Sequence, residues 1–590
     1  MPVVDARPTP PPLRKLPNLS PMDESALATN VRDLFLRARR ERRELAAKWV
    51  KNWNVLHKPL WGNRARHLPR PNVNEALATI DTLVAWMTDQ EPTIDITPAV
   101  PPLNPWYATC DELCQDLKTT LRSSWQVNAT SAEIEKLAYD GLTYGIGFLK
   151  STWDGSAYRG HGDAVITRVD PFSIYVDPDA TSMETMNYII EARTISMQEL
   201  ERRFPGASQR INGAWEEDVD AAPSTLNPQA VGGSIRANPA LMRPALQPIA
   251  PATTASWVLS DRMDATDEPG VTILEAWLRT PMTVNGLTYD SWRCVVMAAN
   301  RILMDKGAEE LWSHGQHPYQ RYVPIETGEF YGHALVTDLA PMQASINRAL
   351  ASIEQNLWLS GNPVFKEDTR AGISRTAIVN EPGQRITINP GADVGWLPPP
   401  PIQAQLGMEL VRFYLSEMER ISGLSAVVRG ASPSGRNAQG VIDSVQEAAF
   451  VRIRKALRNL SRAIGSAGEK AASMVVEFYN EPRMVTTVDI GGGTSAIQLR
   501  AQHFYLPGPD GRSPLRFQML FDAGESASTS RGMRIAEADQ LYALGAIDDV
   551  ALLEIHSFPR WQDVAKRVQA AKVAAGTIGQ PPTQRAAARR

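Results

Sequence analysis

Between Asp338 and Tyr479 the chain carries three long helical seams, and no other feature constrains its architecture as much. In the first, Leu339, Met342, Ile346, Leu350, Ile353 and Leu357 recur every three or four residues, a stripe about 33 Å long at 1.5 Å per residue. Asp338 is placed to N-cap this helix, Pro341 falls in its first turn where a missing N–H does no harm, and Gly361 closes it. The second seam follows the Pro398–Pro401 tract, runs through Leu406, Leu410, Phe413, Tyr414, Met418 and Ile421, and stops at Gly423. Segment 362–401 between them reads as strands Thr376–Val379 and Gln384–Ile388 around Glu381-Pro382-Gly383, where Pro then Gly suits a type II turn. Two matched rods with a small β-rich tip are expected. In the third seam Ile442, Val445, Ala449, Ile453, Leu457, Leu460, Ile464, Ala467, Ala471, Met474 and Phe478 persist for about forty residues, a length that implies a bundle, a coiled coil or an assembly.

The flanking regions predict a mixed α/β body. Residues 1–25, with Pro8 and Pro10–Pro12, read as a disordered arm. A helix over Asn30–Trp53 carries Arg37, Arg39, Arg40, Arg42, Arg43, Lys48 and Lys51 against Asp33, Glu41 and Glu44, a basic stripe that suits a solvated face, a contact with phosphates or an acidic partner subunit. Amphipathic helices between Asn72 and Trp125 are broken by the Pro92–Pro105 cluster, and a helix over Ala132–Tyr144 leads into Gly145-Ile-Gly147. Phe148–Trp153, Ala164–Val169 and Ser173–Val176 then read as a meander. Residues 206–270, rich in Gly, Ala, Pro, Ser and Asn, read as a mobile insertion. Strands resume with Ile273–Leu278, Arg293–Met297 and Arg301–Met304, the last two joined by a turn at Ala299-Asn300.

Chemistry-bearing patterns are few. Lys+Arg 61 against Asp+Glu 65 gives a net charge of -4, which excludes a polycationic nucleic-acid coat. The three cysteines, Cys110, Cys114 and Cys294, provide no disulfide framework. Cys110 and Cys114 share a helix face, yet the eight histidines supply no second ligand pair, so no metal site is expected. Neither an export signal nor an uninterrupted apolar run long enough to span a bilayer is read. Walker A, HExxH and GxSxG motifs are lacking. Asp489-Ile-Gly-Gly-Gly-Thr494 resembles the phosphate turn of actin and Hsp70-like ATPases, against a plain hairpin between Val485–Ile490 and Ser495–Leu499. Asp170, Asp177 and Asp179 offer a nuclease-type Mg²⁺ reading, although Asp-Pro pairs more often start turns. His314 and His317 read as loop residues. Arg454, Arg458 and Arg462, with Arg452 and Lys455 beside them, form a basic ridge on the third helix, suited to solvent, intersubunit ion pairs or DNA.

Several strings in order resemble the portal protein, or head-tail connector, of tailed bacteriophages, short-tailed ones in particular. They are Tyr139-Asp-Gly-Leu-Thr-Tyr-Gly145-Ile-Gly147-Phe-Leu-Lys150, Arg168-Val-Asp-Pro-Phe172 with Tyr175-Val-Asp-Pro-Asp-Ala180, and Phe330-Tyr-Gly332. Gly361-Asn-Pro363, Pro398–Pro401, Ile421-Ser-Gly423, Arg429-Gly430 and Pro433-Ser-Gly435-Arg436 follow, then Leu541-Tyr-Ala-Leu-Gly545-Ala-Ile-Asp548 and Phe558-Pro-Arg-Trp561. The resemblance implies an α+β portal fold: wing 26–337, stem helices 338–361 and 402–423, clip 362–401 and tunnel loop 424–440. The long helix and C-terminal wing strands would fill 441–530, crown helices 531–575 and a disordered tail 576–590. It implies a homo-oligomeric ring, usually dodecameric, at one capsid vertex of the virion, made in the host cytoplasm, without enzymatic activity or cofactors. Double-stranded DNA would pass through it during packaging and ejection. Terminase large subunit, head-completion and tail adaptor proteins, and major capsid or scaffolding protein would be its partners. Arg429, Gly430, Pro433, Ser434, Gly435, Arg436 and Asn437 would then line the tunnel loop. Glu409, Glu417 and Glu419 are candidates for the stem lumen, and Lys366, Arg370, Arg375, Arg385 and Trp396 for the clip docking surface.

Overall fold

The computed structural model describes residues 21–61, 64–65, 67–88, 93–101, 105–211, 270–284, 287–312, 314–361, 365–371, 387, 389–392, 394–396, 404–424, 438–479, 481–488, 494–500, 503–508, 511–522, 538–544 and 552. The mixture of helix and strand is that of an α+β chain. Helix α1, Pro21–His57, starts earlier than its sequence pattern suggests, so residues 21–25 are helical and not part of an arm. It buries Ala28, Val31, Phe35 and Ala38 in one core and Ala46, Trp49, Trp53 and Leu56 in another, a continuous stripe at three- and four-residue spacing. Arg42 sits between the two cores and is buried. Its guanidinium donates to the carbonyls of Pro171 (3.0 Å), Phe172 (2.8 Å) and Ile174 and lies 3.8 Å above the Tyr175 ring. Arg37 pairs with Asp179 at 2.6 Å, so two members of the expected basic stripe hold α1 in place.

Helices α2 (Glu75–Thr88), α3 (Tyr107–Val127) and α4 (Thr130–Tyr144) follow. The Pro92–Pro105 cluster does more than break helices: β1, Thr93–Pro98, pairs antiparallel with β16, Phe517–Asp522, a partner more than 400 residues later that no local pattern could announce. Strands β2 (Gly147–Asp154) and β3 (Asp163–Val169) form a hairpin, but the expected meander ends there. The other edge of β2 takes β9, Tyr319–Tyr322, while β4, Ile174–Val176, turns into a second sheet of order β4-β5-β6-β7-β8. In it β5 is Tyr188–Ser196, β6 Gly270–Val284, β7 Leu287–Ala298 and β8 Arg301–Gly307. Ala299 and Asn300 have φ of 49° and 60°, the left-handed pair that a two-residue hairpin turn requires. Helix α5, Met197–Arg203, is followed by a single turn at Ala207–Arg210, whose Ala207 and capping Ile211 are buried. The start of the predicted insertion thus belongs to the core, as does Gly270 to β6, and residues 212–269 lie outside the described residues.

Helices α6 (Leu335–Gly361), α7 (Ala404–Ser422) and α8 (Ala438–Phe478) are the three predicted seams. Asp338 is not an N-cap. The helix opens at Leu335, Asp338 sits in its first turn facing His333 at 2.9 Å, and Pro341 lies in the second turn, where the Thr337 carbonyl loses its helical donor. Helix α8 begins at Ala438, so residues 438–440 belong to the helix and not to a loop. Within the chain it crosses the β3-β2-β9 sheet, where Ser151 Oγ donates to the Ala467 carbonyl at 2.9 Å, and its Gly468 lies against Met519 of β16. From Ala463 to Val476 it is apolar on nearly every side, the pattern of a helix enclosed by a core. Lys470, buried in this stretch, donates to the carbonyl of His317 at 2.6 Å, and burial lowers it to about 7. His314 and His317 do lie in the loop before β9, yet both are packed inside, where burial first and the nearby Lys470 second hold their imidazoles neutral.

One buried ion cluster ties the two sheets together. Lys150 of β2 donates to Glu191 of β5 at 2.7 Å and to both oxygens of Glu275 of β6 at 2.8 and 2.7 Å. Tyr319 of β9 donates its hydroxyl to Glu191 at 2.7 Å, and Trp277 its indole N–H to Glu275 at 3.0 Å. Burial alone would raise Glu191, but Arg193 and Lys150 more than offset it and hold the carboxyl below the ordinary carboxylate range.

Candidate functional site

The site is built where α6 leaves the body. Gly145 ends α4 in the left-handed conformation, φ 84°, as a C-cap glycine should, and a Cβ there would stand 2.5 Å from the Gly332 carbonyl oxygen. A Cβ on Gly332 would in turn stand 2.7 Å from the Ile325 carbonyl oxygen and 2.8 Å from that of Gly145. Gly141 lies flat against the Tyr322 ring. Arg168 clasps Asp140 with Nε and Nη2 at 2.5 and 2.8 Å, and Phe172 meets Trp49 and Tyr144 edge-on at 5.3 and 5.4 Å. The strings Tyr139–Lys150, Arg168–Phe172 and Phe330–Gly332, far apart in sequence, therefore converge on the root of α6. Gly332→Ala is expected to cost about 2 kcal/mol or more, because Val323 Cγ1, at 2.3 Å from the added Cβ, and two backbone carbonyls fill the space. A thermal melt unchanged within about 0.5 kcal/mol would refute that packing.

The lower half of α6 is bolted to three other helices. Gln343 accepts from the Ala76 N–H at 3.0 Å and donates to the Val73 carbonyl; Asn347 accepts from the Val73 N–H at 3.0 Å and donates to the Val73 carbonyl at 3.2 Å. With Asn74 accepting from the Leu77 N–H at 3.2 Å, these amides satisfy the exposed donors at the start of α2. Asn52 of α1 donates to the Thr143 carbonyl of α4 at 2.9 Å and to Thr337 of α6 at 3.0 Å. None of these four was singled out in sequence. The available signal was two amides four residues apart, Gln343 and Asn347, in phase with the apolar Leu339, Ile346 and Leu350.

Beyond Ala351 the hairpin stands away from the body. Gly407 of α7 lets the two helices meet: a Cβ there would be 2.9 Å from Ile353 Cδ1. The buried face of α7 is Val411 and Met418, flanked by the partly buried Tyr414, Leu415 and Ile421. Leu406, Leu410 and Phe413 of the expected seam point elsewhere. They are 59%, 44% and 56% exposed, and Leu357, Trp358 and Leu359 at the end of α6 are exposed too. The periodicity was right and the inward phase wrong for half of it, because an amphipathic count cannot separate a face covered within one chain from a face left open by it.

A sequence model of the phage P22-like portal protein family matches residues 61–589. The chain belongs to the P22-like portal family. No curated protein matches it. Helix α1 lies ahead of the matched residues, yet it supplies one wall of the smaller core.

Of the residues put forward for this portal protein, the tunnel-loop set Arg429, Gly430, Pro433, Ser434, Gly435, Arg436 and Asn437 lies outside the described residues. On α7, Glu409 is exposed opposite the buried face, Glu417 is paired with Arg420 at 2.6 Å, and Glu419 is half-buried on the other flank. At the tip, β10 (Phe365–Glu367) pairs with β11 (Val394–Trp396), placing Lys366 and Trp396 in a two-stranded sheet with exposed Arg370 beside it. Arg375, Arg385 and the two strands predicted within 376–388 lie outside the described residues, save Thr387, which is in no strand.

β12 (Arg483–Val488) pairs antiparallel with β13 (Thr494–Leu499) in a two-stranded sheet, residues 489–493 of the glycine-rich string lie outside the described residues, and nothing among the described residues supports the ATPase alternative. The aspartates of the nuclease reading serve turns and α1: Asp170 accepts from the Phe172 N–H at 3.0 Å, Asp177 from the Asn187 side chain at 2.7 Å, and Asp179 pairs with Arg37. The predicted crown is described only at 538–544 and 552. Among the described residues no helix is long and apolar enough to cross a membrane.

Proposed function

We propose that this portal protein closes into a ring, dodecameric by family likeness, at one capsid vertex of a tailed phage. The ring would be a conduit for double-stranded DNA in packaging and ejection, without catalysis of its own. Helices α6 and α7 would be its stem, the β10–β11 tip its clip, and the residues before α6 with those after α7 its wing and crown. The observation that carries this reading is the hairpin: firmly rooted in the body, it holds Leu357, Leu359, Leu406, Leu410 and Phe413 in water in the single chain. Exposed apolar side chains so concentrated mark an interaction surface, and a heterologous contact repeated around an axis would cover all of them at once. A net charge of -4 suits passage, since neutralising many phosphates would make DNA release slow and strongly salt-dependent. The clip would dock the terminase large subunit and later the head-completion and tail adaptors, and the outer wing would meet major capsid or scaffolding protein. The chain would be made in the host cytoplasm and reside in the virion.

Purified protein is expected to form rings by electron microscopy and mass photometry. Leu406→Asp with Phe413→Asp should give folded monomers with unchanged circular dichroism, because each carboxylate would have to be buried unpaired at a subunit contact. Monomers alone from the unaltered chain, at every salt and protein concentration, would refute the proposal.

A further inference from the structure

In the five-stranded sheet, β5 pairs with β6 only over Gly270–Leu278 and β8 pairs with β7 only over Arg293–Ala298. β6 and β7 remain paired with each other out to Val284 and Leu287. Arg279–Val284 and Leu287–Trp292 therefore continue as a two-stranded ribbon, about 20 Å long at 3.4 Å per residue, with no third strand beside it among the described residues. Its root is stiff: Trp277 stacks on Trp312 at 5.5 Å, Trp292 meets His317 edge-on at 4.8 Å, and the Arg279 guanidinium covers Trp292 at 5.5 Å.

Pro281 reveals the hydrogen-bond phase of the ribbon. It has no N–H, so the pair Pro281–Asp290 exchanges no bonds across the ribbon, and alternation puts Arg279–Trp292 and Thr283–Thr288 in the same class. Arg279 agrees, since its N–H points away from β7 and donates to the Asn187 carbonyl at 2.8 Å. The N–H and C=O of Thr288 and Asp290 therefore point outward from β7, whereas on β6 the matching donor is missing at Pro281. Natural sheets guard open edges with charges, Pro or a cover. β6 has its Pro; from Leu287 to Trp292 the β7 edge has one charge, Asp290, 3.7 Å from Arg279. A free two-stranded ribbon is marginal in water, so an edge with this little protection among the described residues suits a docked strand.

We propose that the outer edge of β7 at Thr288 and Asp290 docks an extended segment of a second copy of this chain through main-chain hydrogen bonds. This rests on the ring reading, which sets an identical neighbour in one orientation on each side of every copy. An edge that recognises backbone needs an extended chain held in register rather than complementary side chains.

Thr288→Pro tests it, because it deletes one outward N–H and none of the β6–β7 bonds. In the full-length protein the monomer's circular dichroism and melting should be unchanged, while the concentration at which rings dissociate rises about tenfold or more. Amide exchange at Thr288 and Asp290 should be slow in unaltered rings and fast in monomers, a readout that holds even if the substituted chain folds poorly. Rings of unchanged stability with fast exchange at both amides would overturn the docking edge and leave the ring reading intact. Protection that appears only after capsid protein is added would overturn the second copy as occupant, and no rings from the unaltered chain would overturn both.

Discussion

Lys150→Met is expected to destabilise the folded chain by about 3–5 kcal/mol. The change leaves Glu191 buried and Glu275 deprived of its main cation, with the Tyr319 hydroxyl, the Trp277 indole and Arg193 unable to supply the missing charge inside the β2–β5–β6 junction. Most of the loss comes from leaving Glu275 without its cation and Glu191 with Arg193 alone, rather than from the ammonium itself. Converting all three residues to apolar ones of similar size should therefore recover much of it. The pH dependence carries a sign. Glu191 and Glu275 are both held below their ordinary value of 4.5, so their contribution is complete above that pH and is lost as the pH falls through the lowered values. The measurement is the urea midpoint at neutral and acidic pH. A Lys150→Met unfolding free energy, from the midpoint and slope, within about 1 kcal/mol of that of the unaltered chain at neutral pH would mean that the cluster is hydrated and not a junction of the sheets.

The second large effect is expected from Gln343→Leu combined with Asn347→Leu. Both amides are buried, and their loss strands the Val73 and Ala76 N–H groups and the Val73 carbonyl at the start of α2, at about 1–3 kcal/mol for each unsatisfied group. Leucine keeps the volume, so the cost isolates hydrogen bonding from packing. Amide exchange at Val73 and Ala76 should accelerate along with a lower melting temperature, whereas exchange in β5 and β6 stays slow. Unaltered exchange at those two amides would show that α6 is held to the body by its apolar contacts alone.

Three helices, the glycine that ends α4 and the Ala299-Asn300 turn were legible because each depends on residues close in sequence: a repeat of three or four, a glycine free of Cβ strain, two residues tolerant of positive φ. The α+β class was implied by the resemblance that the ordered strings carry, beside these local patterns. Errors fell where a distant partner overrides the local signal. β1 is a strand inside a proline-rich stretch because β16 lies beside it. The meander failed because β9 claimed the free edge of β2 before β4 could. Arg37 and Arg42 looked like surface charge until Asp179 and three carbonyls met them.

Residue spacing settled that this chain would carry two rods and one longer helix, since 3.6 residues per turn is a property of the backbone and is written in any sequence that obeys it; the rods are 27 and 19 residues long, not matched as expected. Which side of each rod is covered, which glycines touch, and that Gln343 and Asn347 read the backbone of Val73 and Ala76 came from three-dimensional packing. Burial and hydrogen-bond satisfaction depend on what stands across the gap, and that neighbour is chosen by the whole fold.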